Sequence, residues 1–126
     1  MTIALWCVLV AGLMPIICAG IAKGGAGDFD NASPREWLGR QDGWRKRANA
    51  AQNNSWEAFP FFAVAVLGAT VKGGPAGAVD ALALAWVAAR AAYVACYLTD
   101  RATLRSACFA LALFAAVAIF VSPLWA

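Results

Sequence analysis

The sequence predicts an all-α integral membrane protein, a single domain over residues 1–126 built as a four-transmembrane-helix bundle. Three observations carry that expectation. Of 126 residues, 63% are hydrophobic and 13% charged, whereas an average soluble domain is about half apolar and about a quarter charged. Mean hydropathy is +0.67 over a mass of 13.2 kDa, and so small a globule has too much surface for its volume to hide that apolar area from water. The apolar residues also gather into four runs, each near the roughly 20 helical residues needed to cross a hydrocarbon layer of about 30 Å. A soluble enzyme, a disordered chain, a collagen and a nucleic-acid module are excluded on these grounds.

Ile3–Ile21 is the first predicted span and contains no charge. The start Met1-Thr2-Ile3 lacks the basic segment that opens a signal peptide, so a retained helix is expected. Pro15 inside it is tolerable in a membrane helix. Residues 23–46 then form a polar loop, predicted to be cytoplasmic, with room for a short helix after Asn31-Ala32-Ser33-Pro34, because proline suits a first helical turn. The second span, about 47–71, begins polar and becomes apolar from Phe59 onward. Gly73-Gly74-Pro75 marks a turn. The third span covers 76–98, with Asp80 near its start and Arg90 deep within it. Thr99–Arg105 is a charged connection, and 106–125 forms the fourth span.

The basic residues report orientation. Lys23, Arg35, Arg40, Arg45, Lys46 and Arg47 lie in the first loop, and Arg101 and Arg105 in the third connection, against Lys72 alone on the other side. Eight against one predicts cytoplasmic basic loops and both termini outside the cytoplasm, in a bacterial inner membrane. Faces rich in Ala and Gly suit close helix packing, within one bundle or between subunits.

Histidine is absent, which removes the commonest metal ligand and the usual neutral-pH base. Cys7, Cys18, Cys96 and Cys108 stand in apolar runs without a zinc-type spacing, so they read as buried small hydrophobes and no metal is expected. Polar groups inside the spans carry the functional signal, since ionisable residues there are costly and face a bundle interior or a cavity. On the second span, Arg47, Ala50, Asn54 and Glu57 share about one quadrant of the helix. A solvated helix start accounts for Asn49 and Asn53 but poorly for Glu57, which sits among Trp56, Phe59, Pro60, Phe61 and Phe62. On the third span, Arg90, Tyr93 and Tyr97 follow i, i+3, i+7 and make one stripe. An interfacial aromatic belt with a snorkelling arginine explains that stripe less well than a donor-rich wall for an anion. Asp100, Arg101 and Arg105 read from spacing alone as topological charge.

The run Asn54-Ser55-Trp56-Glu57-Ala58-Phe59-Pro60 contains Asn-x-x-Glu-x-x-Pro on the second of four spans. With Arg90, Tyr93, Tyr97 and Arg105 it resembles the membrane-associated proteins in eicosanoid and glutathione metabolism, the MAPEG family, in a bacterial-type member. That family includes microsomal glutathione transferases and leukotriene C synthase. The resemblance covers about 47–105. It implies a homotrimer of four-span protomers with glutathione as co-substrate at the subunit boundary, near the cytoplasmic face. It further implies that Asn54 and Glu57 hold the tripeptide, with Glu57 on its α-amino group, that Arg90, Tyr93 and Tyr97 hold carboxylates and backbone, and that Gln52 reaches across to the neighbouring subunit. Arg105 matches the arginine that stabilises the thiolate, with Arg101 as the alternative because the preceding stretch is one residue longer here. Ala50 stands where eukaryotic members typically have arginine, and Arg47, one turn earlier, is the candidate replacement. Ala58 stands where an aromatic often follows the glutamate.

The chemistry of the thiol agrees with those residue types. Glutathione carries two carboxylates, an ammonium and a thiol whose pKa is about 8.5 when free, so fixed cations, one anion and a positive charge beside sulfur suffice to bind and activate it. The leading expectation is a glutathione-dependent membrane transferase or peroxidase acting on lipophilic electrophiles or lipid hydroperoxides. A non-catalytic lipid-binding scaffold on the same fold is the alternative. A small multidrug transporter ranks last, because its essential carboxylate belongs on the first span, which here is uncharged.

Overall fold

The computed structural model describes all 126 residues, as helices joined by short connections. Helix α1 spans Ile3–Lys23, α2 Pro34–Gly39, α3 Gly43–Val71, α4 Ala76–Leu98 and α5 Ala102–Val121, followed by a 3-10 turn over Ser122–Trp125. The last turn tightens where Pro123 removes a backbone donor. The four long helices form a ring in the order α1, α3, α5, α4, with α3 and α4 also touching across the diagonal.

Inside that ring the side chains are small. Ala4, Ala11, Ala65, Ala69, Ala83, Ala112, Ala115 and Ala116 are buried there with Phe62, Val66, Trp86 and Ile119. Without a hydrophobic drive between helices in lipid, close backbone approach over small residues is what holds such a bundle. Bulk is turned outward: Ile16, Ile17, Val64, Leu67, Leu111, Phe114 and Phe120 are exposed. Only 27 of 126 residues are buried, a proportion that suits a solvent of hydrocarbon rather than water. Helices α1, α4 and α5 with its 3-10 extension are long and apolar enough to cross a membrane. Helix α3 has 29 residues, about 43 Å at 1.5 Å per residue, but its first half carries the Asn, Gln and Glu side chains that keep it out of that group.

Two helix starts fall earlier than the hydropathy pattern predicts. Helix α3 begins at Gly43 rather than 47, because its first turn is packed. Arg45 Nη1 donates to the Ala22 carbonyl at the end of α1, 2.9 Å away, and the Arg45 guanidinium lies 4.3 Å from the Trp44 ring centroid. Helix α2, expected near Pro34, tucks Trp37 and Leu38 against Ala22 and Ala48. Helix α5 begins at Ala102 rather than 106, which places Arg105 inside its first turn.

Two left-handed residues close the C-termini of α3 and α4, at opposite ends of the bundle. After α3, Gly73 has φ 73° and Gly74 N–H donates to the Ala69 carbonyl at 2.7 Å. A Cβ on Gly74 would sit 2.7 Å from Ser122 Oγ, so that position requires glycine. After α4, Asp100 has φ 59° and Arg101 N–H donates to the Cys96 carbonyl at 2.8 Å. Both are six-to-one closures that glycine favours. Asp100→Gly should therefore raise stability by about 1 kcal/mol, read as a higher thermal midpoint in detergent. An unchanged or lower midpoint would mean that this turn is not strained.

Candidate functional site

The site grows from one stripe on α4. Trp86, Arg90, Tyr93 and Tyr97 recur at helical spacing and turn toward α3 and α5. Arg90 is 1% exposed. Its Nη2 donates to Ser55 Oγ on α3 at 3.4 Å, its guanidinium carbon lies 4.1 Å from the Tyr93 ring centroid, and its Nε has no partner. The Cys18 thiol of α1 lies close to both Ser55 and Arg90. Taking such an ion out of water costs roughly several kcal/mol, and one long hydrogen bond with one aromatic face offsets little of it. The Arg90 charge is therefore incompletely compensated by the groups of its own protomer.

From Arg90 the stripe continues toward the C-terminal end of α4. Tyr93 and Tyr97 meet edge to face at 5.7 Å, and the Arg105 guanidinium, reaching from α5, lies 4.4 Å from the Tyr97 ring centroid. Cation, phenol, phenol and cation thus line up between α4 and α5. Placing Arg105 there depends on the early start of α5, which turns its side chain onto Tyr97.

Two openings adjoin this ladder. One, about 180 Å³, is lined on its polar side by Asn54, Glu57 and Arg90 and on its apolar side by Ala58, Phe61, Trp86, Ala112, Leu113 and Ala116. The other, about 210 Å³, is lined by Tyr93, Tyr97, Arg105 and Ser106. Phe109 borders both. The Asn54 Oδ1 atom is buried without a partner, an acceptor left open beside Arg90. Glu57 is exposed at the mouth. A donor cation, an open carboxamide, a carboxylate and two phenols can together bind a zwitterion bearing more than one carboxylate.

The structure thus brings Asn54, Glu57 and Arg90 to one opening and Tyr93, Tyr97 and Arg105 to the next. Three other residues singled out in the sequence lie apart. Arg47 donates from Nε and Nη2 to the Leu98 carbonyl at 3.3 and 3.2 Å, satisfying the C-terminus of α4. Gln52 lines neither opening, and its Oε1 is buried without a partner. Arg101 is exposed at the N-cap of α5 and lines neither. At the far end of α4, Asp80 Oδ1 accepts from Ala4 N–H at 2.8 Å, capping α1. No group of three or more His, Cys, Asp or Glu side chains gathers to hold a metal. Ser55 and Phe109 were not anticipated. Ser55 is joined to Arg90 only through the tertiary fold, whereas Phe109 stands four residues after Arg105 and Trp86 four before Arg90, so helical spacing could have added both.

The buried Arg90 guanidinium is incompletely compensated within the protomer. Arg90→Met fills similar space without the charge and should leave the thermal midpoint unchanged or higher, since replacing poorly paired buried ions by apolar groups is commonly neutral or stabilising. A loss exceeding about 3 kcal/mol, the scale expected when a buried pair is broken, would make Arg90 structural.

Comparison with known proteins rests on one finding. The MAPEG family profile matches residues 3–125, whereas no curated protein and no solved structure matches the chain. The match covers all five helices, beyond the 47–105 stretch on which the motif residues fall. Its membrane character agrees with the three apolar helices. The chain is an integral membrane protein and belongs to the MAPEG family.

Proposed function

We propose that the protein is a glutathione-dependent membrane transferase or peroxidase that presents a thiolate to lipophilic electrophiles or lipid hydroperoxides. The observation that carries this reading is Arg90, buried, with an open Nε, beside an unpartnered Asn54 and two rings away from a second arginine. Arg90 and Tyr93 take carboxylate and backbone, Asn54 the tripeptide's amide, and Glu57 the α-ammonium. Arg105, seated over Tyr97, faces sulfur. A guanidinium stays charged at all working pH values, so it stabilises a thiolate without a base, which fits a chain lacking histidine. Arg47 supports the site from behind by holding the end of α4.

The assembly reading follows from what one protomer leaves open. Helix α3 acts as a fourth span whose polar half lies at the cytoplasmic interface, and both termini face away from the cytoplasm, in a bacterial inner membrane. The orphaned Gln52 Oε1 supports a homotrimer in which each Gln52 contributes to its neighbour's site. One observation favours the alternative, a non-catalytic lipid-binding scaffold. Ala50 replaces a cation, and Arg47, the nearest substitute, is engaged by Leu98.

Two experiments separate the readings. Glu57→Gln should weaken glutathione binding about ten- to a hundredfold by removing a charge-assisted hydrogen bond, whereas Asp80→Asn, at the opposite membrane face, should leave it unchanged. Equal losses in calorimetric titrations would place the site elsewhere. For sulfur, the ultraviolet absorbance of bound thiolate can be titrated directly. Arg105→Ala should raise the bound thiol's pKa, because the anion loses its cation, and slow turnover at pH 7 while binding persists. Arg101→Ala should do neither. If only Arg101→Ala raises the pKa, the two arginines exchange roles, and if neither does, the scaffold reading replaces the enzyme.

A further inference from the structure

The reaction proposed above uses none of the four cysteines, yet two of them meet. Cys96 on α4 and Cys108 on α5 stand at about equal distances from the turn that joins the two helices, so the hairpin brings them to one level. The Tyr97–Arg105 and Tyr93–Phe109 contacts share nearly the same register. Both cysteines belong to one buried cluster with Tyr93, and the Cys108 thiol lies within hydrogen-bonding reach of the Cys96 sulfur. Both are free thiols. Cys7 and Cys18 belong elsewhere, on α1, the first in the main core and the second near Ser55 and Arg90.

The pair sits at the outer edge of the seam between α4 and α5. Leu104 and Leu111, one turn to either side of Cys108 and on its face, are 52% and 64% exposed. Ala92 and Thr99 stand in the same relation to Cys96 and are exposed too. Neither sulfur lines an opening of the thiol site. The short route to the pair is from lipid.

We propose that Cys96 and Cys108 are a redox site, a dithiol that lipid-soluble hydroperoxides convert to a disulfide between α4 and α5, and that this bond reshapes the neighbouring opening at Tyr97 and Arg105. The dithiol stands on its own geometry, and only its effect on glutathione rests on the function proposed above. In the first step a sulfur lone pair takes the distal oxygen of the hydroperoxide. The O–O bond breaks, and the alkoxide leaves as an alcohol with the proton of that thiol. The second thiol then attacks the sulfenic sulfur, the S–S bond forms, and hydroxide leaves as water with the second proton. Two thiols thus supply the two electrons that reduce one hydroperoxide.

The consequence follows from bond length. A disulfide holds its sulfurs at about 2.05 Å, far closer than two thiols in contact, so closure pulls the helices together at this level. Tyr97 follows Cys96 and Phe109 follows Cys108, and both line the opening with Tyr93 and Arg105. The Cys96 carbonyl, held by Arg101 N–H at 2.8 Å, leaves the end of α4 little freedom to absorb the pull. In the orientation proposed above this hairpin turns in the cytoplasm, where thiols rest reduced and a disulfide is transient, reporting oxidant rather than stapling the fold.

The test uses full-length wild-type protein in detergent, reduced or treated with cumene hydroperoxide, and S-methylglutathione as a ligand that cannot reduce a disulfide. After treatment, alkylation of the unfolded chain should find two free thiols in place of four. Peptide mapping should join Cys96 to Cys108, and dithiothreitol should restore all four thiols. Affinity for S-methylglutathione should fall at least about fivefold on oxidation, the lower end of typical coupling between two sites, and recover with dithiothreitol. Cys96→Ala and Cys108→Ala should each keep the affinity of the reduced wild type in the presence of oxidant. Each should instead accumulate a sulfenic acid at the remaining cysteine of the pair, trapped by dimedone. Four unreacted thiols, a loss mapped to Cys7 or Cys18, a bond between two protein molecules, or equal measurable affinity in the two redox forms would overturn the proposal. Closure in a protein that binds the ligand in neither form would sink the transferase reading and leave the dithiol standing.

Discussion

An arginine with no carboxylate partner, buried in a membrane bundle, is the constraint around which this structure is organised. Everything near Arg90 is arranged to tolerate it without neutralising it. Ser55 gives one long hydrogen bond, Tyr93 gives a ring face, and Nε is left open. A protein selected only for stability would place an apolar side chain there. The cost is comprehensible if an anion completes the site, and the same logic extends along the stripe to Arg105 over Tyr97. Local unsatisfied polarity is then a store of binding energy.

The bundle around it is built so that this cost does not unfold it. Alanines line the contact between helices and bulky side chains face lipid, so stability is spread over many close backbone contacts and not concentrated at the site. The closures at Gly73 and Asp100, the Arg45 contact with α1 and the Asp80 cap on α1 satisfy helix ends that hydrocarbon would leave unpaired. Small residues, Ala58, Ala112 and Ala116, also line the cleft between α3 and α5.

Much of this was legible in the chain. Hydropathy alone separates the long helices from the 23–46 loop, and the spacing of Arg90, Tyr93 and Tyr97 places them on one face. The ends were less legible. Gly43 and Ala102 begin helices inside charged stretches, because Arg45 finds Ala22 and Arg105 finds Tyr97, and such tertiary contacts leave no mark in a hydropathy profile. Helix α3 is the hardest case: its polar half weakens the very signal that identifies a span. Arg47 shows a second limit. Its helical face suggests a ligand, yet the Leu98 carbonyl, 51 residues away in sequence, claims its guanidinium. Ser55 was unreadable for the same reason, since nothing local ties a serine on α3 to an arginine on α4.

The claim that Arg90 is held for an anionic ligand is tested most directly by ligand-dependent unfolding. A ligand that binds only the folded state raises stability by RT ln(1 + [L]/Kd). The thermal midpoint of wild-type protein in detergent should therefore climb steadily with glutathione concentration, and that of Arg90→Met should stay flat over the same range. Parallel climbs in the two proteins, or no climb in the wild type, would contradict the account.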